Sequence, residues 1–197
     1  MIDKFKGKLA ILILDIDGVL ADYEGGLLKF ARNNYGLSFN TIDEMKEYLC
    51  RYDYEQMKKN YRNSGYKEKL LMISDSIPQN ISDIMKKGVM VCMVTSRQKE
   101  QFKRVEKDTI NWLKKNGIKY DAIFFTGLKY MVALAGKFHG IKSFAIEDSK
   151  QQALGLANHG VVVYYLGNAP IAHKNIINSI DLDEVFETLK EVFDDLK

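Results

Sequence analysis

The sequence predicts an α/β fold: an open parallel sheet with helices on both faces and a small helical cap inserted after the first strand. Three observations lead there. Five short apolar runs, at residues 9–14, 89–94, 122–125, 143–146 and 161–165, are continuous rather than alternating, as strands covered on both faces require. Helical patterns separate the later runs, and such alternation implies parallel strands joined by right-handed crossovers. Residues 23–86, between the first two runs, are more than one crossover helix needs.

Along the chain, the first run ends in Asp15-Ile16-Asp17-Gly18. Residues 25–35 read as a helix that Gly36 stops. Thr41-x-x-Glu44 is a capping-box start, and Asp53-x-x-Gln56 is a weaker one. These place a helical insert over residues 37–76, between core segments 1–36 and 77–197, with Pro78 returning the chain to the core. Phe102, Val105, Thr109, Trp112 and Leu113 recur at helical spacing until Asn116-Gly117. Residues 131–138 and 151–157 read as two further helices, ending near Gly140 and Gly160. Asp181-x-x-Glu184 caps the last helix, whose Val185, Phe186, Leu189, Val192, Phe193 and Leu196 share one face.

At 197 residues, 46% apolar and 28% charged, the chain describes a soluble globular domain with material for a real core. A net charge of +3 with Lys and Glu interspersed does not predict binding to a nucleic acid polymer. No stretch approaches the roughly 18 apolar residues that span a bilayer. The opening "MIDKFKGKL" carries no signal-peptide apolar region, so a cytoplasmic protein off the membrane is expected. Cys50 and Cys92 lack C-x-x-C spacing and read as reduced, mostly buried thiols. The eight Met residues read as core filler, and His139, His159 and His173 show no ligand spacing.

Polar chemistry gathers at the strand ends. Asp15 and Asp17 follow the first run, and Thr95 and Ser96 ("MVTSRQ") close the second. Thr126 and Lys129 ("FFTGLK") follow the third, and Glu147 and Asp148 ("FAIEDSKQ") the fourth. In an open parallel sheet the ligand site lies beyond the carboxyl ends of the strands, so these residues converge on one edge. Carboxylates crowded there repel unless a cation intervenes. Mg2+ held by carboxylates and a phosphate is the ordinary solution, and hydroxyls with an ammonium suit phosphate oxygens.

On these residues the chain resembles the haloacid dehalogenase (HAD) superfamily of phosphohydrolases. Its motifs, hydrophobic-D-x-D-G, a strand ending in Ser or Thr, a Lys and an acidic pair, occur here in order. Within it, "DIDGVLADYEGGLLKF" is similar to the opening of the 5'(3')-deoxyribonucleotidases. "TSR" stands where they have Thr-Ser-Pro, "IEDS" where they have an acidic pair, and "TINWLKKNGIKYDAIFF" resembles bacterial nucleotidase-like proteins. The resemblance implies a HAD-like Rossmannoid fold and a Mg2+-dependent phosphomonoesterase that uses an aspartyl-phosphate, with a small phosphorylated substrate, a nucleoside (deoxy)monophosphate. It makes Asp15 the nucleophile and Asp17 the acid and then the base. Mg2+ falls to Asp15, the backbone carbonyl of Asp17, and Asp148; Thr95, Ser96 and Lys129 hold phosphoryl oxygens, and Tyr23 meets the substrate.

The chain also departs from that pattern. Lys129 lies far from Glu147-Asp148 in sequence, and Lys137 is the other candidate for the lysine. Arg97 replaces a proline, so a neighbouring phosphate or base contact differs, and Glu147 either backs the metal site or lies on the surface. Tyr48, Tyr52, Tyr54, Tyr61 and Tyr66 in the insert either stack on a base or pack cap against core. Arg62, Lys67 and Lys69 attract an anion or solvate a helix. Two alternatives stand beside the nucleotide reading: a sugar phosphate or other small phosphorylated metabolite as substrate, and a HAD-like binding module without turnover.

Overall fold

A computed structural model describes residues 5–196; residues 1–4 of the "MIDKFKGKL" reading and residue 197 lie outside it. Among the described residues, six strands form one sheet: β1 (Ala10–Leu14), β2 (Met90–Thr95), β3 (Ala122–Phe125), β4 (Lys142–Glu147), β5 (Val162–Tyr165) and β6 (Ile176–Asn178). Their order is β3-β2-β1-β4-β5-β6, and every neighbouring pair is parallel. Because side chains alternate along a strand, β1 feeds two cores. Ala10, Leu12 and Leu14 face one apolar cluster, with Trp112, Ile81 and Phe186. Ile11 and Ile13 face the other, with Val132, Ala133 and Leu156. Each fully buried Leu or Ile there contributes roughly 1.5–3 kcal/mol, which is why β1 carries no polar residue before Asp15.

The helices are α1 (Tyr23–Tyr35), α2 (Ile42–Tyr48), α3 (Arg51–Asn63), α4 (Ile77–Lys86), α5 (Lys103–Lys115), α6 (Tyr130–Phe138), α7 (Lys150–Asn158) and α8 (Leu182–Asp194). Helices α4, α5 and α8 cover one face of the sheet, and α6 and α7 cover the other. Asp181 caps α8 by accepting from the N–H groups of Asp183 and Glu184, and Thr41 caps α2 by accepting from Glu44. Between β1 and α4, a third cluster of Leu27, Phe30, Ala31, Met45, Met57 and Tyr61 joins α1, α2 and α3. A short 3-10 turn, Tyr66–Lys69, follows α3. This helical lobe is pinned to the sheet layer by the Trp112 indole, which donates to the carbonyl of Leu70 at 2.8 Å.

Several expectations need correction. The third strand is only partly buried along its length, because β3 is an edge strand. Strand β6 and helix α4 went unread. β6 is three residues long with two exposed, and α4's Ile77, Ile81 and Ile84 were overlooked behind Pro78, which sits in the helix's first turn. Cys50 is exposed rather than buried, and its Sγ accepts from the Asp53 N–H to cap α3. Asp53 therefore lies inside that helix's first turn and does not start it. Met131 is exposed, unlike the core methionines Met45, Met57, Met90 and Met93.

Candidate active site

The register of β1 against β4 sets the centre of the site. Leu14 pairs with Ile146, and the Asp15 N–H donates to the Ile146 carbonyl, so Asp15 emerges beside Glu147 and Asp148. Lys129, at the N-cap of α6, reaches between them. Its Nζ lies 2.8 Å from Asp15 Oδ1 and 2.6 Å from Glu147 Oε2. Glu147 is 1% exposed, and its other oxygen accepts from the Ser149 N–H. One carboxylate oxygen each of Asp15, Glu147 and Asp148 lies within 4.8 Å of the others. Gly18 closes this cluster with φ +83, and a Cβ there would sit 1.9 Å from Asp148 Oδ2. Only glycine meets both demands.

The electrostatics follow from three acids facing one ammonium. Burial, and then Glu147, push the Asp15 carboxyl up to about 7 against the opposing pull of Lys129. Burial, and then Asp15, raise Asp148 to about 6. Burial also raises Glu147, whereas the two carboxylates outweigh burial at Lys129 and raise it. The donor set is hard oxygen, and it lacks positive charge, so it fits a divalent cation.

That imbalance predicts an unusual pH dependence. Folded Asp15 and Asp148 keep protons that the unfolded chain releases near 4, and stability falls with pH wherever the folded state binds more protons. The metal-free protein should therefore lose stability as pH rises from about 4 to about 7. Mg2+ should raise Tm more at about pH 8 than at about pH 5, where it must displace protons. Thermal melts at both pH values, with and without Mg2+, check this; a larger Mg2+ shift at the lower pH would contradict it.

Asp17 is not part of the acid cluster: its carboxylate turns to cations. Arg97 donates to it twice, Nη2 to Oδ1 at 2.5 Å and Nε to Oδ2 at 3.0 Å, and Lys67 Nζ lies 2.8 Å from Oδ2. Burial alone would raise its pKa, but Arg97 and Lys67 outweigh that and hold Asp17 well below the usual carboxylate range. Thr95 is buried, its hydroxyl accepting from the Arg97 N–H, while Ser96 is exposed. A cavity of about 120 Å³ is lined by Asp15, Asp17, Tyr23, Lys67, Thr95 and Ser96. A wider cleft of about 600 Å³, also lined by Tyr23, runs past Gly18, Asp148 and Tyr165.

The structure thus gathers Asp15, Asp17, Tyr23, Thr95, Ser96, Lys129 and Asp148 at one sheet edge. Lys137 is exposed and lines a groove with Gly140 and Lys142, where β4 begins, and it touches none of them. Glu147 is no surface residue, and Arg97 grips Asp17 while also lining the 120 Å³ cavity. Tyr48 and Tyr52 are each 70% exposed and pack neither on the core nor in the cavities, while Tyr61 is buried in the lobe. Sequence reading missed the Lys67 and Arg97 contacts with Asp17. The signal was faint: one cation after a strand end and another fifty residues away from Asp17.

Residues 9–139 match the family model of 5' nucleotidase, deoxy (pyrimidine), cytosolic type C protein. No curated protein matches the sequence significantly. Among solved structures, the chain is similar to a candidate beta-phosphoglucomutase from Thermotoga maritima, with TM-score 0.62 and 16% identity over 93% of this chain and 99% of that one. A haloacid dehalogenase-like family hydrolase from Streptococcus pneumoniae gives 0.61 and 14%, over 91% and 98%. A HAD family hydrolase from Deinococcus radiodurans R1 with bound phosphate and sodium gives 0.59 and 13%, over 94% and 96%. At these identities the structures speak for the fold alone. Among the described residues, no helix is long and apolar enough to cross a membrane.

Proposed function

The chain belongs to the 5' nucleotidase, deoxy (pyrimidine), cytosolic type C family, a family of phosphatases, and from that premise we propose that it hydrolyses nucleoside monophosphates, with Mg2+, through a phosphoryl group carried on Asp15. The observation that carries this reading is Asp15 itself. It is a carboxylate at a strand end, touched by the Lys129 ammonium and set beside Glu147 and Asp148, with which it could hold a cation.

In this mechanism Asp15 attacks phosphorus, and the ester P–O bond breaks as Asp17 gives a proton to the departing oxygen. Asp17 then takes a proton from the water that attacks the aspartyl-phosphate, freeing inorganic phosphate and restoring Asp15. At rest the two cations keep Asp17 ionised, and the proton it relays to the departing oxygen arrives on the monoanion of the ester. Lys129, Thr95 and Ser96 steady the phosphoryl oxygens. Mg2+, held by Asp15, Asp148 and the Asp17 carbonyl, would offset the repulsion between an anionic nucleophile and an anionic ester. Glu147 fixes Lys129. The lobe, including the insert at 37–76, acts as the cap, and the family's cytosolic description supports a cytoplasmic enzyme.

Substrate choice rests on Tyr23, which lines both cavities. None of the insert's tyrosines lines either one, which keeps a sugar phosphate as the second reading. Stacking one base on an aromatic ring contributes about 1–3 kcal/mol. Tyr23→Ala should therefore narrow the preference for nucleoside monophosphates over sugar phosphates while sparing a small aryl phosphate. The check is kcat/KM for both proteins on all three substrates. Equal losses would make Tyr23 a packing residue, and a wild-type preference for sugar phosphates would promote the second reading.

A further inference from the structure

We propose that Lys67 and Arg97 are positioning residues that aim Asp17 at the departing ester oxygen, Lys67 doing so from the helical lobe. The proposal rests on the phosphatase reading above, and it adds two residues that reading does not need. Arg97 is buried, and its guanidinium is held at both ends. Two nitrogens grip the two oxygens of Asp17, and the third donates to Thr109 Oγ1 at 2.8 Å. Thr109 is itself fixed on α5, its hydroxyl donating to the Val105 carbonyl at 2.6 Å. This chain of contacts ties the direction of Asp17 to the α5 backbone.

Lys67 approaches from the other side. It is 4% exposed, and its Nζ lies 4.8 Å from the centroid of the Tyr23 ring and 5.6 Å from that of Tyr61. Two aromatic faces and one carboxylate thus enclose the ammonium. A charge buried this far needs its ionic partner, and that partner is Asp17. Both residues also line the 120 Å³ cavity, so KM is the readout that separates positioning of Asp17 from a direct contact with the phosphate. A carboxylate gripped at both oxygens has one orientation, whereas a free one visits several rotamers. Misplacing a proton donor by an ångström loses much of its effect on the rate. Since Lys67 sits on the 3-10 turn of the lobe, Asp17 is fully held only when the lobe covers the sheet edge.

Leaving-group dependence separates this role from a structural one. An aryl phosphate with an acidic phenol departs without proton help, whereas a nucleoside monophosphate or simple alkyl phosphate needs it. The experiment measures kcat and KM on one ester of each kind, with Mg2+, for wild type and for Asp17→Asn, Lys67→Met, Lys67→Arg, Arg97→Met and Thr109→Val. General acid catalysis contributes about 10²–10⁴-fold, so Asp17→Asn should lose that much in kcat on the alkyl ester. Lys67→Met and Arg97→Met should lose roughly ten- to a hundredfold on the alkyl ester and far less on the aryl one, with KM little moved. Lys67→Arg should recover most of the loss, and Thr109→Val, which leaves Asp17 and its two partners in place, should show the same selectivity in weaker form. Equal losses on both esters, or a change in KM alone, for Lys67→Met while Asp17→Asn stays selective would overturn the positioning role and leave the phosphatase reading intact. An unselective Asp17→Asn would overturn the acid assignment, and the positioning role with it.

Discussion

Asp15→Asn is expected to abolish turnover of every phosphate ester, by at least about 10³-fold, without loss of fold. The amide keeps the shape of the side chain but is a very poor nucleophile. The substitution should also be kind to stability. In the metal-free protein Asp15 is a buried acid pushed up to about 7, and ionising it beside Glu147 at higher pH costs free energy that asparagine does not incur. Lys129 keeps Glu147 as its partner at 2.6 Å. The metal-free variant should therefore melt no lower than wild type at about pH 8, with unchanged circular dichroism. Undiminished turnover by the folded variant would remove Asp15 from the chemistry.

Lys129→Met should have the largest effect on stability. Its ammonium is 1% exposed and neutralises two carboxylates at once. Removing one side of a buried ion pair costs about 3–5 kcal/mol, because the charge left behind has neither water nor a partner. In a domain of this size each kcal/mol lowers Tm by about 2–4 °C. The loss should be smaller at about pH 5, where a proton on Asp15 offsets part of the charge left behind. Activity should vanish along with stability, since in the proposed mechanism the same group steadies the phosphoryl oxygens. Thermal melts at the two pH values measure this, and a variant that melts like wild type at the higher pH would show that Lys129 is not what neutralises the acids.

The sheet and the site centre were legible for one physical reason. Strands buried on both faces leave polar residues only at their ends, so Asp15, Thr95, Lys129 and Asp148 announce themselves by interrupting or following apolar runs. Gly36, Thr41 and Asp181 were legible because capping chemistry is local. What stayed hidden depends on packing over long sequence separations. The edge position of β3 follows from sheet order, and β6 is too short to write an apolar run. Cys50 looked buried because its side chain is apolar in character, yet it caps an exposed helix start. Lys67 reads in "YRNSGYKEK" as a lysine that attracts an anion or solvates a helix, and only the folded lobe carries it onto Asp17.

The most direct test of the central claim is to catch the phosphoryl group on the enzyme. Wild-type protein with Mg2+ and a nucleoside monophosphate is quenched in acid during turnover, digested, and its peptides weighed. The expected result is one added phosphoryl group on the peptide that contains Asp15, absent from Asp15→Asn and absent when a chelator replaces Mg2+. Steady hydrolysis with the added mass on another residue, or undiminished hydrolysis in the chelator, would contradict it.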